Sequence, residues 1–126
     1  MNAAYFEIRF RGVEPTLLWP DSFIIVSAYA TTGEEWSPER NQAADETLAR
    51  ELVERGVWMA RVIGYAPSTG HSEASWAAEL SIQEGQRLAQ LFLQDAIFFV
   101  AGDELVVSSC RDDQSVNLGS FRARLE

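Results

Sequence analysis

Few side chains in this sequence are suited to acid–base or nucleophilic chemistry near neutral pH. His71 is the single histidine and Cys110 the single cysteine. A histidine is the side chain whose ordinary pKa lies closest to neutral pH. A Ser-His-Asp triad would therefore have to use His71. This residue stands in a polar, Gly- and Ser-containing segment, where a lone histidine is more often solvated than functional.

The residue spacings that mark common catalytic and cofactor sites are absent. The sequence has no Walker loop, GxGxxG, CxxC, GxSxG or HExxH motif. One Cys and one His cannot supply the four nitrogen or sulfur ligands of a structural zinc site. We therefore expect no metal, no cofactor and no catalytic residue of a known class.

Polar residues at the ends of apolar segments are candidates for a ligand pocket, because sites tend to form there. Glu79 lies in a short apolar segment, where its carboxylate either faces solvent or is half-buried with a raised pKa and an acid–base role. The solvated alternative is the safer one. The full candidate pocket is Asn41, His71, Glu79, Ser81 and Gln94. A pocket of this kind requires Asn41, His71, Glu79 and Gln94 to converge in one cleft.

The elements that must position these residues follow from hydrophobic periodicity and capping signals. Ser37-Pro38 predicts the start of a first helix that ends at Gly56, and Ser81 with Glu84 has the spacing of a capping box that starts a second. Strands are predicted over 4–10, 22–30, 57–65, 76–82, 96–101 and 104–110, with one further candidate edge strand at 120–125.

The order ββαββαββ favours an α+β fold. We expect a single-layer, mostly antiparallel or mixed sheet with both helices packed on one face, and a single domain over 1–126. No apolar stretch approaches the roughly 20 residues needed to span a bilayer. The N-terminus lacks the basic and apolar regions of a signal peptide. With one cysteine and no internal disulfide, the expected location is the cytoplasm.

The chain is acidic, with a net charge of −9 from 19 acidic residues against ten basic ones. Residues 33–55 hold seven acids and three Arg, a local balance of −4. Such a surface repels phosphate backbones, so we expect no direct nucleic-acid binding. Acidity that only keeps the protein soluble is the commoner explanation. The functional alternative is a surface that binds a basic protein, with Trp36 as its exposed anchor. Its candidate residues are Glu34, Glu35, Trp36, Glu39, Asp45 and Glu46.

Several motifs resemble the bacterial domain-of-unknown-function family numbered 3293. They are Ser27-Ala28-Tyr29, Asn41 leading a helix with Leu48 and Leu52, Gly56, Gly64, Trp76-x-x-Glu79-x-Ser81, Leu88 and Phe92-x-Gln94-x-Ala96. Family members usually have Asn-Pro where this chain has Ala30-Thr31. The resemblance implies no activity, and it marks Asn41, Glu79, Ser81 and Gln94 only as candidates.

Two functions remain open. The first is a non-enzymatic, acidic binding or inhibitory protein of bacterial or phage origin, of the toxin-immunity or anti-CRISPR type, that captures a basic protein surface, including that of a nucleic-acid-handling complex. The second is a small enzyme or ligand-binding domain that uses the candidate pocket. A domain that forms homodimers through an edge strand is a third, simpler alternative.

Overall fold

The structure is a computed structural model that describes residues 1–30 and 34–126. It contains seven strands and two α-helices in the order ββαββαβββ, with a short 3-10 helix near each end at Ala3–Glu7 and Arg122–Arg124. The strands are β1 (Arg9–Arg11), β2 (Ser22–Ser27), β3 (Met59–Tyr65), β4 (Ser72–Ala78), β5 (Ala96–Ala101), β6 (Glu104–Ser109) and β7 (Ser115–Ser120). The helices are α1 (Pro38–Arg55) and α2 (Ile82–Leu91).

All seven strands form one antiparallel sheet in the order β1-β3-β4-β2-β5-β6-β7. Strand β2 is central and pairs with β4 on one side and β5 on the other. Its residues after Ser22 are buried, as expected of an uncharged strand covered on both faces. The α+β class with a mostly antiparallel sheet is confirmed.

The sheet curls until its two ends approach each other. The rings of Phe10 in β1 and Phe98 in β5 lie 5.5 Å apart, although three strands separate β1 from β5 in the sheet order. The C-terminal segment joins the two ends. Leu125 forms an isolated parallel β-bridge with Phe10, and the Glu126 backbone N–H donates to the Phe10 carbonyl at 2.8 Å. The curl therefore has an enclosed inner face and an outer face.

Both helices pack on the outer face. Leu48 and Leu52 of α1 and Leu88 of α2 are fully buried there, against the even-numbered side chains of β2. At the start of α1 the Ser37 hydroxyl accepts from the Arg40 backbone N–H, and Gly56 ends the helix with a φ of 68°. These ends match the prediction, because Ser and Gly are favoured at these two positions for distinct stereochemical reasons.

The inner face carries a second apolar cluster at one end of the curl. Phe23, Trp19 and Trp58 pack together there, and Phe121 closes the cluster against Phe10. The aromatic cluster fills this end. The opposite end of the inner face is open and is described below.

Three predicted elements were wrong in position or type. The segment predicted as a strand over 4–10 forms the 3-10 helix Ala3–Glu7, capped by Asn2, and only a short strand after it. The strand predicted at 76–82 lies earlier, at Ser72–Ala78. The further candidate strand lies at Ser115–Ser120 rather than 120–125, and it brings the order to seven strands rather than the six of ββαββαββ. Within the described residues, no helix has the length and apolar character needed to cross a membrane.

Candidate functional site

A cavity of about 500 Å³ occupies the open end of the inner face, where β2 ends. Its floor comes from inward-facing residues of the central strands, namely Ile25 and Ser27 of β2, Ser75 of β4 and Phe98 of β5. The N-terminal 3-10 helix, the loop after β3 and residues 34–36 form its rim. A volume of this size is typical of sites for small organic ligands.

Glu73 is the carboxylate that the fold places on the cavity wall. It precedes Ser75 and Ala77 on the inner face of β4, and Gly64 opposes it directly in β3. Gly64 has no side chain, and the Ile8 side chain packs over it instead: a Cβ at Gly64 would lie 3.3 Å from Cδ1 of Ile8. The Glu73 side chain is 30% exposed.

Burial raises the pKa of the Glu73 carboxyl above its ordinary value of 4.5, because the charged form is less well solvated in the cavity wall. The nearby His71 opposes this effect through its charge and a hydrogen bond. His71 Nε2 lies 3.5 Å from Glu73 Oε1, while the imidazole remains 70% exposed at the cavity mouth. The two residues form an acid–base pair on one rim of the cavity.

Asn41 and Gln94 reach the same cavity but are engaged with backbone. The Ala30 N–H donates to Oδ1 of Asn41 at 2.9 Å, and Nε2 of Gln94 donates to the Tyr29 carbonyl at 2.8 Å. Helix α1, through Asn41, and the segment after α2, through Gln94, therefore hold the backbone just after β2 from two sides. Both amides position the cavity wall at Tyr29-Ala30.

Aromatic rings supply much of the remaining wall. Those of Tyr5, Tyr29, Trp36, Tyr65 and Phe98 all line the cavity. Trp36 is half-buried, its Nε1 donates to Glu34 Oε2 at 3.2 Å, and the Arg40 guanidinium lies 3.9 Å from its ring. The expectation that Trp36 is exposed was therefore wrong, since Arg40 covers the ring and the residue also lines the cavity.

The charge of the cavity lining is negative. Glu34, Glu35, Glu73 and Asp95 line it, and no Arg does among the residues that the structure describes. Arg111 neutralises Asp95 from outside the cavity, with Nη2 2.6 Å from Oδ1. The other carboxylates have no arginine ion pair within the described chain.

The predicted pocket is thus assembled in part. Asn41, His71 and Gln94 line one cavity, whereas Glu79 and Ser81 lie outside it. Glu79 is exposed just past the end of β4, so its solvated alternative is correct. Ser81 caps α2, where its hydroxyl accepts from the Glu84 N–H and the Glu84 carboxylate accepts from the Ser81 N–H.

Sequence reasoning missed Glu73 because the predicted strands 57–65 and 76–82 left the polar segment that contains it outside the sheet. The signal that could have found it is the alternation of Glu73, Ser75 and Ala77, which continues the inner face of β4 into the polar segment. Ala30-Thr31 stands where the family resemblance predicts Asn-Pro. The structure describes Ala30, and Thr31 lies outside the described residues.

The predicted acidic surface loses one member. Asp45 is 8% exposed, and both of its oxygens accept from Arg61, at 2.9 and 2.7 Å. The Arg61 guanidinium also lies 3.8 Å from the Trp76 ring, so the pair joins α1 to the outer face of the sheet. The other carboxylates of the predicted set are exposed: Glu34, Glu35, Glu39 and Glu46.

Two other chemistries find no support in the geometry. Burial raises the pKa of the Cys110 thiol to about 11, with the charge of Asp95 adding to the effect, so the thiolate that would act as a nucleophile is disfavoured. No group of three or more His, Cys, Asp or Glu residues is placed to hold a metal ion in the described part of the chain.

The comparisons with known proteins give one match. The model of the family described as "Protein of unknown function (DUF3293)" matches residues 26–97, from the end of β2 to the start of β5. This span contains Asn41, His71, Glu73 and Gln94 of the cavity. Neither a curated protein nor a solved structure matches the chain. Because the matched span is more than half of the chain, the protein belongs to the DUF3293 family of proteins of unknown function.

Proposed function

We propose that this protein is a ligand-binding domain whose site is the cavity inside the curled sheet. The observation that supports this most strongly is the cavity of about 500 Å³ at the open end of the inner face. The rest of that face is filled by apolar side chains, among them the aromatic rings of Phe10, Phe23 and Phe121. A fold that fills one end of its interior and leaves the other open, with polar groups converging there, has the usual form of a small-molecule site.

The construction of the cavity wall supports the same function. Two side-chain amides hold the Tyr29-Ala30 backbone from opposite sides, and a buried Ser27 hydroxyl accepts from the Tyr29 N–H at 3.0 Å. A wall fixed by three hydrogen bonds loses little conformational entropy when a ligand binds. The cavity is therefore preorganised on this side.

The test compares fragment binding by the unmodified protein with fragment binding by a variant whose cavity is filled by a larger side chain. A library of fragment-sized aromatic compounds is screened by backbone amide NMR, and we expect shifts to concentrate at β2, β4 and the rim. Ala96→Leu adds side-chain volume inside the cavity, since Ala96 lines it. We expect this variant to lose the binding.

Ala101→Leu is the matched control, because it adds the same volume to an exposed position of the same strand. This variant should bind as the unmodified protein does. Fragment binding that survives in Ala96→Leu, or that maps to another surface, would contradict the proposed site.

Binding to a basic protein surface is a second candidate function. It is favoured by the exposed carboxylates of Glu34, Glu35, Glu39 and Glu46, which extend from the cavity rim along α1. Charge complementarity of this kind speeds association and makes affinity fall as salt rises. The partner would be a basic protein, including a component of a nucleic-acid-handling complex, in the cytoplasm.

A salt-dependent pull-down from the native host tests this candidate. A partner retained at low salt, eluted at high salt and lost in Glu39→Lys/Glu46→Lys would support it. Glu79→Lys/Glu104→Lys changes the net charge equally at two exposed positions outside α1 and the cavity rim, and it should leave retention intact. Retention that is independent of ionic strength would count against it.

A further inference from the structure

We propose that the ligand of this cavity is an organic cation, whose charged group pairs with Glu73 while its apolar part lies among the aromatic rings. The inference rests on the proposed ligand-binding function and specifies the ligand class. A protonated amine attached to an aromatic or aliphatic group has the required chemistry.

The charges around the cavity support a cation. Glu73 is a half-buried carboxylate, and His71 is the one basic side chain within ion-pair distance of it in the described chain. Arg111 is engaged with Asp95, Arg40 with the Trp36 ring and Arg11 with the Tyr65 ring at 4.5 Å. The carboxylate therefore lacks the guanidinium that usually accompanies a carboxylate withdrawn from water.

The rings favour the same ligand class. Aromatic faces attract cations, and this attraction is stronger where both partners are withdrawn from water. The rings of Tyr29 and Phe98 line the cavity together with Glu73, whereas one face of Trp36 and one face of Tyr65 are already occupied by Arg40 and Arg11. An anionic ligand would instead meet the carboxylates of Glu34, Glu35 and Glu73 without an arginine on the wall.

Neighbouring groups of the sheet leave the carboxylate available to a ligand. Gly64, opposite Glu73 in β3, offers no side-chain donor, and the apolar Ile8 side chain packs over it. The buried Ser75 follows two residues later on the same face, and its hydroxyl donates to the Glu73 carbonyl at 3.3 Å rather than to the carboxylate. Glu73 thus keeps acceptor capacity for a ligand N–H.

Three ring compounds that differ only in charge test the inference. Benzylamine is cationic at neutral pH, benzyl alcohol is neutral and benzoate is anionic. Titrations followed by NMR at the amides of the cavity wall should show benzylamine binding at least about tenfold more tightly than benzyl alcohol, and benzoate not binding.

Glu73→Gln should remove this preference, lowering benzylamine affinity by about tenfold and leaving benzyl alcohol affinity unchanged. Glu79→Gln makes the same chemical change at an exposed carboxylate outside the cavity and should leave all three affinities unaltered.

The outcomes separate the inference from the function on which it rests. Equal or tighter binding of benzyl alcohol or benzoate, blocked by Ala96→Leu, would overturn the cation and leave the ligand site standing. A benzylamine preference that persists in Glu73→Gln would overturn the role of Glu73. Binding by none of the three compounds would count against both the cation and the cavity as a ligand site.

Discussion

At the residue scale, Glu73 stands at a position that disfavours its own charge. Burial raises the pKa of this carboxyl, so the ionised form is less stable in the folded protein than in the unfolded chain. A residue that weakens the fold while lining a cavity is typical of a functional site rather than of a structural one.

We predict that Glu73→Gln stabilises the protein at neutral pH. Below the ordinary carboxyl pKa of 4.5, both states hold the proton and the substitution changes little. As pH rises, the unfolded chain ionises first, so the unmodified protein loses stability relative to the variant until pH exceeds the raised folded-state pKa. Urea unfolding of both proteins across this pH range measures the difference.

His71 and Glu79 supply the controls for that measurement. His71→Gln removes the charge that opposes the raised pKa of Glu73, so it should widen the pH range over which stability is lost. Glu79→Gln makes the same chemical change at an exposed carboxylate outside the cavity and should change stability little. A Glu73→Gln protein that is less stable at neutral pH would show that the carboxylate supports the fold.

At the element scale, α1 and the segment after α2 are both attached to the chain that leaves β2. Asn41 accepts from the Ala30 N–H, and Gln94 donates to the Tyr29 carbonyl. Leu93 places Gln94 by taking a φ of 60°, which a residue with a β-carbon rarely adopts. The strained residue thus turns the chain so that the Gln94 amide reaches the cavity wall.

We predict that Asn41→Ala costs about 1–2 kcal/mol of unfolding free energy, since it leaves a part-buried N–H without its acceptor. Asn41→Asp keeps an acceptor oxygen and should cost less. In a double-mutant cycle with Gln94→Ala, the two losses should be non-additive by about 0.5 kcal/mol or more, because both amides hold one segment. Additive losses would contradict the shared role.

Helix α2 packs closely against the sheet at Gly85, which has no side chain. A Cβ at Gly85 would lie 2.8 Å from Cγ2 of Ile24 and 3.1 Å from Cδ1 of Ile97, both buried. Alanine would gain about 1 kcal/mol in helix propensity. We predict a net loss of about 1–3 kcal/mol for Gly85→Ala, because both neighbours are fixed in the core. Thermal unfolding of both proteins shows whether Gly85→Ala lowers or raises the stability. A stabilised variant would show that α2 can shift outward.

The elements also show how far the sequence could be interpreted. Both ends of α1 and the start of α2 were predicted because capping residues act locally. The strand at Ser72–Ala78 was misplaced, since its polar first half is stabilised by pairing with β3 rather than by local propensity. Glu73 and Glu79 look alike in the sequence, and only the bounds of β4 show that Glu73 lies within the strand, on the cavity wall, whereas Glu79 lies past its end.

At the scale of the whole molecule, one arginine joins the two ends of the curled sheet. Arg124 donates from Nη1 to the carbonyls of Phe6 and Ile8, beside β1, and from Nη2 to the carbonyl of Leu118 in β7, each at 3.0 Å. The planar guanidinium suits this arrangement, because its donors point in fixed directions toward several acceptors. Arg124 thereby holds the cavity-bearing curl closed.

We predict that Arg124→Lys lowers the unfolding free energy by about 1–3 kcal/mol, because the single nitrogen of an ammonium cannot reach all three carbonyls that the two guanidinium nitrogens reach. Arg122→Lys is the matched control at an exposed position two residues earlier and should change stability little. If closure shapes the cavity, Arg124→Lys should also speed amide hydrogen exchange at β1 and β7 and weaken benzylamine binding. Unchanged exchange at both edge strands would show that the pairing of Phe10 with Leu125 closes the sheet without this side chain.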